Sequence, residues 1–172
     1  MPPHCDTLDG PVVKAAKMAI EKKNVNLILP WTPKEAEVEL KGAFEKTLRA
    51  RALGKDAMEV ADYWFFETAV RLHREGERAP YTGLKPAGLD WGPVVPKADK
   101  AIDQGNARDL IDLISQTVEK ELQERFNRAM AKKGYDENDV DAAREYVHAM
   151  LGFVLFSHHL YSFIEGGEAH GD

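Results

Sequence analysis

Gly10-Pro11-Val12-Val13 opens one stretch of the chain, and Gly92-Pro93-Val94-Val95 opens another. At the same offset Ala16, Ala19, Ile20 and Asn24 match Ala98, Ala101, Ile102 and Asn106, which makes 8 identities in the 15 positions from Gly10 to Asn24. Further on, Glu39, Leu40, Phe44 and Ala61 match Glu121, Leu122, Phe126 and Ala143. Self-similarity at a constant offset is the mark of a repeated supersecondary unit. Both copies begin on Gly-Pro, and proline suits the first turn of a helix because its missing donor is not needed there. The expected fold is an all-α helical bundle built from two related three-helix repeats, about 8–76 and 89–164. A unit of this size buries its apolar face poorly alone. A single domain over 1–172 with one shared core is therefore expected, its halves joined by a Gly/Pro-rich loop at 77–93.

The helical reading holds along the whole chain, because apolar residues recur at three- and four-residue spacing and no segment alternates long enough to demand a strand. The first helix starts at Gly10-Pro11 and ends near Lys23-Asn24. Thr32-Pro33-Lys34-Glu35 predicts a capped start for the second, with Thr32 as cap and Glu35 closing a capping box; it ends near Gly54. The third, from about Asp56 to Gly76, carries Met58, Ala61, Phe65 and Leu72 on one side. A short helix around Pro96–Gln104 and two long ones, about 106–133 and 138–164, complete the second copy. Gly134-Tyr135-Asp136 turns between the last two.

Composition narrows the function. The chain has 172 residues, 44% hydrophobic and 30% charged, with Lys plus Arg 23 against Asp plus Glu 29. A net charge of −6 argues against a nucleic-acid partner, which needs a clustered basic face. One cysteine excludes an internal disulfide framework. Ala149–Phe163 is apolar but short of the roughly 20 residues of a membrane span and interrupted by Ser157, His158 and His159, so a buried helix and no membrane partner are expected. With no signal-peptide pattern at the start, the expected location is cytoplasmic.

Three places carry chemistry-bearing side chains. His4, Cys5 and Asp6 put imidazole, thiol and carboxylate side by side, each a ligand type for a borderline transition ion. One residue out of that offset the second copy has Lys85, Pro86 and Ala87 there, and that asymmetry favours a function over a structural role. Asp9 has a counterpart in Asp90, both just before Gly-Pro or close to it, which suits a cap or a carboxylate on the helix dipole. At the end of the third helix His73 and Glu77 lie one turn apart, a spacing that fits one metal ion or an acid–base pair. Glu67 is expected to pair with Arg71, and Tyr81 and Lys85 lie in a loop long enough to be a lid or binding segment. His148, His158 and His159 are expected as core histidines of the last helix, and His170 belongs to a Gly-rich tail.

The block His4-Cys5-Asp6-Thr7-x-Asp9-Gly10-Pro11-Val12-Val13 resembles the start of a bacterial and archaeal family of unknown function. His73-Arg74-Glu75-Gly76-Glu77 with Ala79-Pro80-Tyr81-Thr82-Gly83-Leu84-Lys85-Pro86 is similar to that family's other signature. The resemblance implies that the hook and the His73–Lys85 segment form one site, and it brings no activity. His4-Cys5-Asp6 and Gly10 also resemble the amino-terminal hook of nickel superoxide dismutase. Asp9 stands where that family has its second cysteine.

Taken together, the expected site has His4, Cys5, Asp6, Asp9, His73 and Glu77 as metal ligands, with Glu67, Tyr81 and Lys85 on a ligand-binding loop. The expected occupant is a small ligand or a transition metal (Zn, Ni, Cu or Fe), with redox chemistry if the metal is redox-active. Two alternatives stand beside it. Cys5 with His73 or His4 would make a nucleophile pair for a small hydrolase or transferase. A helical interaction or assembly module, without catalysis, would use its aromatic helix faces against a partner chain; a homo-oligomer is among the expected partners.

Overall fold

The computed structural model describes residues 3–166; Met1, Pro2 and His170 lie outside the described residues. Six α-helices follow one another: α1 Pro11–Glu21, α2 Glu37–Arg51, α3 Lys55–Gly76, α4 Val94–Gln104, α5 Arg108–Lys132 and α6 Val140–Gly166. Short 3-10 turns occupy Pro3–Asp6, Val25–Leu27, Leu29–Trp31 and Lys34–Ala36. Among the described residues there is no strand, only an isolated parallel bridge between Thr7 and Lys85. The all-α expectation holds, and the helices lie within a few residues of the predicted spans. The chain divides into two compact units, Met1–Trp91 and Gly92–Asp172.

In the first unit α1 and α2 each pack against α3. Val12, Val13, Ala16, Ala19 and Ile20 are buried on one side of α1, at the three- and four-residue spacing that forms an inward stripe. They meet Leu40, Ala43 and Phe44 of α2 and Phe65, Phe66, Ala69, Val70 and Leu72 of α3 in one cluster, with Cys5 and Ile28 included. Each fully buried large side chain stabilises the unit by about 1.5–3 kcal/mol.

The start of α2 differs from the prediction. Thr32 Oγ1 donates to the Leu29 carbonyl at 3.2 Å instead of capping a helix, and Lys34–Ala36 forms a 3-10 turn before α2 begins at Glu37. Thr32 is committed to the preceding turn at Leu29–Trp31, so the capping box never closes.

In the second unit α4 packs on α5 and α5 runs along α6. The α5–α6 contact is made by Phe126 on Phe153 (ring centroids 5.7 Å), by the Arg125 guanidinium over Phe156 (4.2 Å) and by the Lys132–Glu145 ion pair. Only Ala129 and Ala149 are buried there among the described residues. The expectation that Ala149–Phe163 is a buried helix fails: Leu151, Val154, Leu155, Tyr161 and Phe163 are all exposed. His148, His158 and His159 are exposed as well and are not core histidines. A pair of helices has one mutual seam, and α6 carries apolar residues on more sides than α5 alone covers.

Candidate functional site: the amino-terminal hook on the end of α3

Residues 3–10 fold back on themselves before α1 begins. Thr7 donates to the His4 carbonyl through its side-chain hydroxyl (2.8 Å) and its backbone N–H (3.3 Å), and Gly10 N–H donates to the Thr7 carbonyl at 2.9 Å. The turn is tight enough to need glycine at its close, since a Cβ on Gly10 would lie 2.2 Å from the His4 carbonyl oxygen.

The hook is clasped by the loop that follows α3. Lys85 N–H donates to the Asp6 carbonyl (2.8 Å) and Leu8 N–H donates to the Lys85 carbonyl (3.0 Å). The N-cap of α1 is Gly10, which has no side chain to offer, and Asp9, expected as a cap or a carboxylate on the helix dipole, reaches the loop. Its Oδ2 accepts from Gly88 N–H at 2.9 Å. That bond, then the Thr7 hydroxyl, holds the Asp9 carboxyl below the ordinary carboxylate range.

The centre of the arrangement is Arg74, a residue the sequence reading passed over between His73 and Glu75. Its Nε donates to Asp6 Oδ1 at 2.6 Å and its Nη1 donates to Glu77 Oε2 at 2.7 Å. The side chains of Arg74 and Asp6 are only 5% and 3% exposed. Burial alone would lower the Arg74 pKa, but the hydrogen bond and charge of Asp6, with Glu77 and Cys5 nearby, raise it above its ordinary value. Arg74 Nη2 is buried with no hydrogen-bond partner among the described residues. The i, i+3 spacing of Arg74 and Glu77 was visible in the sequence. The pairing with Asp6, across 68 residues of chain, was not.

His73 stands beside this pair. Its Nδ1 lies 2.8 Å from the Trp31 carbonyl. A carbonyl only accepts, so Nδ1 carries the proton. Nε2 lies 3.3 Å from Glu77 Oε1 and makes no aligned hydrogen bond. The turn that ends α3 sets this geometry: Ala79 N–H reaches back to the Arg74 carbonyl at 2.9 Å, with Arg78 in the left-handed region at φ 54°.

The predicted residues therefore fall into three groups. Asp6, His73 and Glu77 come together around Arg74, with Cys5 buried and His4 half-buried in the same hook. Asp9 faces the loop amide instead. The loop residues have other partners: the Tyr81 hydroxyl donates to Glu67 Oε1 at 3.2 Å, and Lys85 Nζ donates to Thr82 Oγ1 at 3.1 Å on the surface. Burial, then the charge of Glu67, pushes the Tyr81 hydroxyl pKa upward. Glu67 does not take Arg71, which pairs with Glu75 at 2.7 Å and with Glu39 of α2. Among the described residues no group of three or more His, Cys, Asp and Glu is placed to hold a metal ion. The position between the Asp6 and Glu77 carboxylates is taken by a guanidinium.

The chain belongs to the DUF6448 family, a family of unknown function. The match runs over residues 9–156, so it contains Asp9, His73, Arg74, Glu77 and the clasp at Lys85, while His4, Cys5 and Asp6 precede it. No curated protein and no solved structure matches the chain. DUF6448 membership supplies no reaction.

Proposed function

We propose that the chain is a helical assembly module in which the first unit is the stable body and α6 is the docking element. One observation carries this reading: from Tyr146 to Ile164 α6 has no Asp, Glu, Lys or Arg, yet in that span only Ala149 is buried. Exposed apolar patches of that size on a soluble domain mark contact surfaces. The side of α6 that does meet a neighbour meets the charged helix α5, through Arg125 on Phe156, which fits a water-facing hairpin.

Hydrogen exchange along α6 tests this. Amides of 146–164 should become more protected as protein concentration rises, and Leu151→Glu with Val154→Glu should abolish that gain while the first unit keeps its protection. Exchange that is independent of concentration, and equal in wild type and variant, would sink the reading.

A second reading keeps the hook as a metal site, favoured by the His73–Glu77 geometry. An N···O separation of 3.3 Å is close to the roughly 3.4 Å between two tetrahedral ligands at about 2.1 Å from one ion. His73 Nε2 is buried without an aligned hydrogen bond, and the buried Cys5 and half-buried His4 of the hook carry the other expected ligand types. Elemental analysis of untagged protein beside Cys5→Ser and His73→Ala checks it. The expected result is near-stoichiometric transition metal lost in both variants; no metal after reconstitution with nickel, copper, iron or zinc removes this reading.

A further inference from the structure

We infer that the partner of α6 is the α6 of a second copy of this chain, docked antiparallel. The inference rests on the assembly reading above and gives it an occupant and an orientation.

The starting point is spacing. Val140, Val147, Val154 and Tyr161 are seven residues apart, and Leu151 and His158 lie between them at the alternating three- and four-residue steps of a heptad seam. Arg144 and Glu165 extend the same stripe toward its two ends. The four residues of the first series are 43–64% exposed, and Leu151 is 44% exposed. The stripe lies away from α5, because the α5-facing side of α6 is marked by Glu145, Ala149, Phe153 and Phe156. Positions 147, 151 and 154 fall roughly half a turn from that side at 3.6 residues per turn. α6 thus has two seams: one used within the hairpin, the other open.

A heptad seam is read by another helix with the same period. An identical helix offers one, and a twofold pair presents the same patch from both sides. Charge decides the orientation. A parallel pair would put Arg144 against Arg144, His158 against His158 and Glu165 against Glu165. An antiparallel pair in the register that joins the two heptad series sets Leu151 opposite Val154 at the centre. It sets Val147 opposite His158 and Arg144 opposite Tyr161, where a guanidinium can lie on a ring, and it leaves Glu165 one turn from Arg144 of the other copy. Along the seam like charges separate, and Glu165 approaches the Arg144 that Asp141 of its own helix already holds at 2.8 Å. Leu155 and Ile164, both exposed, flank the seam. A pair of helices about 40 Å long with these side chains buries on the order of 800 Å² per partner, the size of a standard interface.

The experiment measures mass, distance and charge rescue on the full chain. Sedimentation equilibrium should give about twice the 19.3 kDa of one chain, and Leu151→Glu with Val154→Glu should return it to one. Nitroxides at Asp141→Cys, in a Cys5→Ser background, should lie about 35 Å apart between copies, since residue 141 then faces residue 164 and each residue rises 1.5 Å. Glu165→Arg should weaken the dimer about tenfold, and adding Arg144→Glu to it should restore the wild-type constant. Because these two positions are exposed, the rescue does not depend on a folding defect. A monomer at every concentration overturns the inference, as does binding of the chain to phosphatidylcholine vesicles through α6. A dimer with short inter-label distance, or without charge rescue, overturns the antiparallel α6 pair while leaving the assembly reading in place. Concentration-independent exchange along α6 would remove both.

Discussion

The same opening, Gly-Pro-Val-Val, meets opposite fates in the two units. Val12 is fully buried and Val94 is 41% exposed; Ile20 is 4% exposed and its counterpart Ile102 is 84% exposed. The helices they begin, α1 and α4, are both 11 residues long. What differs is the chain around them. After α1, the 3-10 turns between Val25 and Ala36 carry Ile28 and Ala36 into the core, and α2 and α3 close over the rest. After α4 the chain turns at Gly105, which holds a left-handed φ of 64°, and enters α5 within a few residues, so no covering segment intervenes. An amphipathic pattern specifies a face; it does not supply the surface that covers it.

This contrast yields experiments that break or sharpen it. The largest effect is expected at Arg74. Removing one partner of a buried ion pair leaves an uncompensated charge, at a cost of about 3–5 kcal/mol, so Arg74→Ala should melt the first unit far below wild type in a thermal scan. A loss near 1 kcal/mol would show that water reaches Asp6. Next comes a matched pair of truncations. Phe65→Ala, at a fully buried position, should cost about 3–5 kcal/mol in urea titration. Phe163→Ala, at a position 65% exposed, should stay within about 0.5 kcal/mol. A large cost at Phe163 would mean that this end of α6 is covered in solution.

Smaller is Gly10→Ala. The added Cβ meets the His4 carbonyl, which belongs to the backbone, so the hook must shift at a cost of about 1–3 kcal/mol. Calorimetry should show that loss in the first unit alone. The smallest effect is acidic. The Gly88 N–H holds the Asp9 pKa down, so folding favours the ionised carboxylate. Its contribution is complete above the unfolded value of about 3.9 and is lost as pH falls through the lower folded value. Asp9→Asn should flatten that acid limb by a few tenths of a kcal/mol, since the group is solvent-exposed and screened.

Much of the fold was legible. Helix ends at Pro11, Gly76 and Gln104 could be read from local spacing and from Gly and Pro, because the physics of a helix acts over four residues. The site was legible only in part. His73 and Glu77 are one turn apart and could be paired from sequence, whereas Asp6 with Arg74 and Asp9 with Gly88 are joined across most of the first unit. Arg74 stood in the sequence only inside the His73–Glu77 block, with no role of its own. Its burial depends on where residues 3–8 lie, and no local spacing records that. The exposed α6 was misread for the converse reason: apolar composition states that a surface avoids water, and the chain that would cover it is not written in the same segment.

The clasp at residue 85 has a consequence for the order of events at the ribosome. The partners of Asp6 and Asp9 across the clasp, Arg74, Lys85 and Gly88, are polymerised about 65–80 residues after the hook itself. At 5–20 residues per second the hook waits on the order of 3–16 s before its acceptors and donors exist. During that interval Cys5 and Asp6 are in water, and the thiol meets whatever oxidant or metal the surroundings hold before the clasp closes over it.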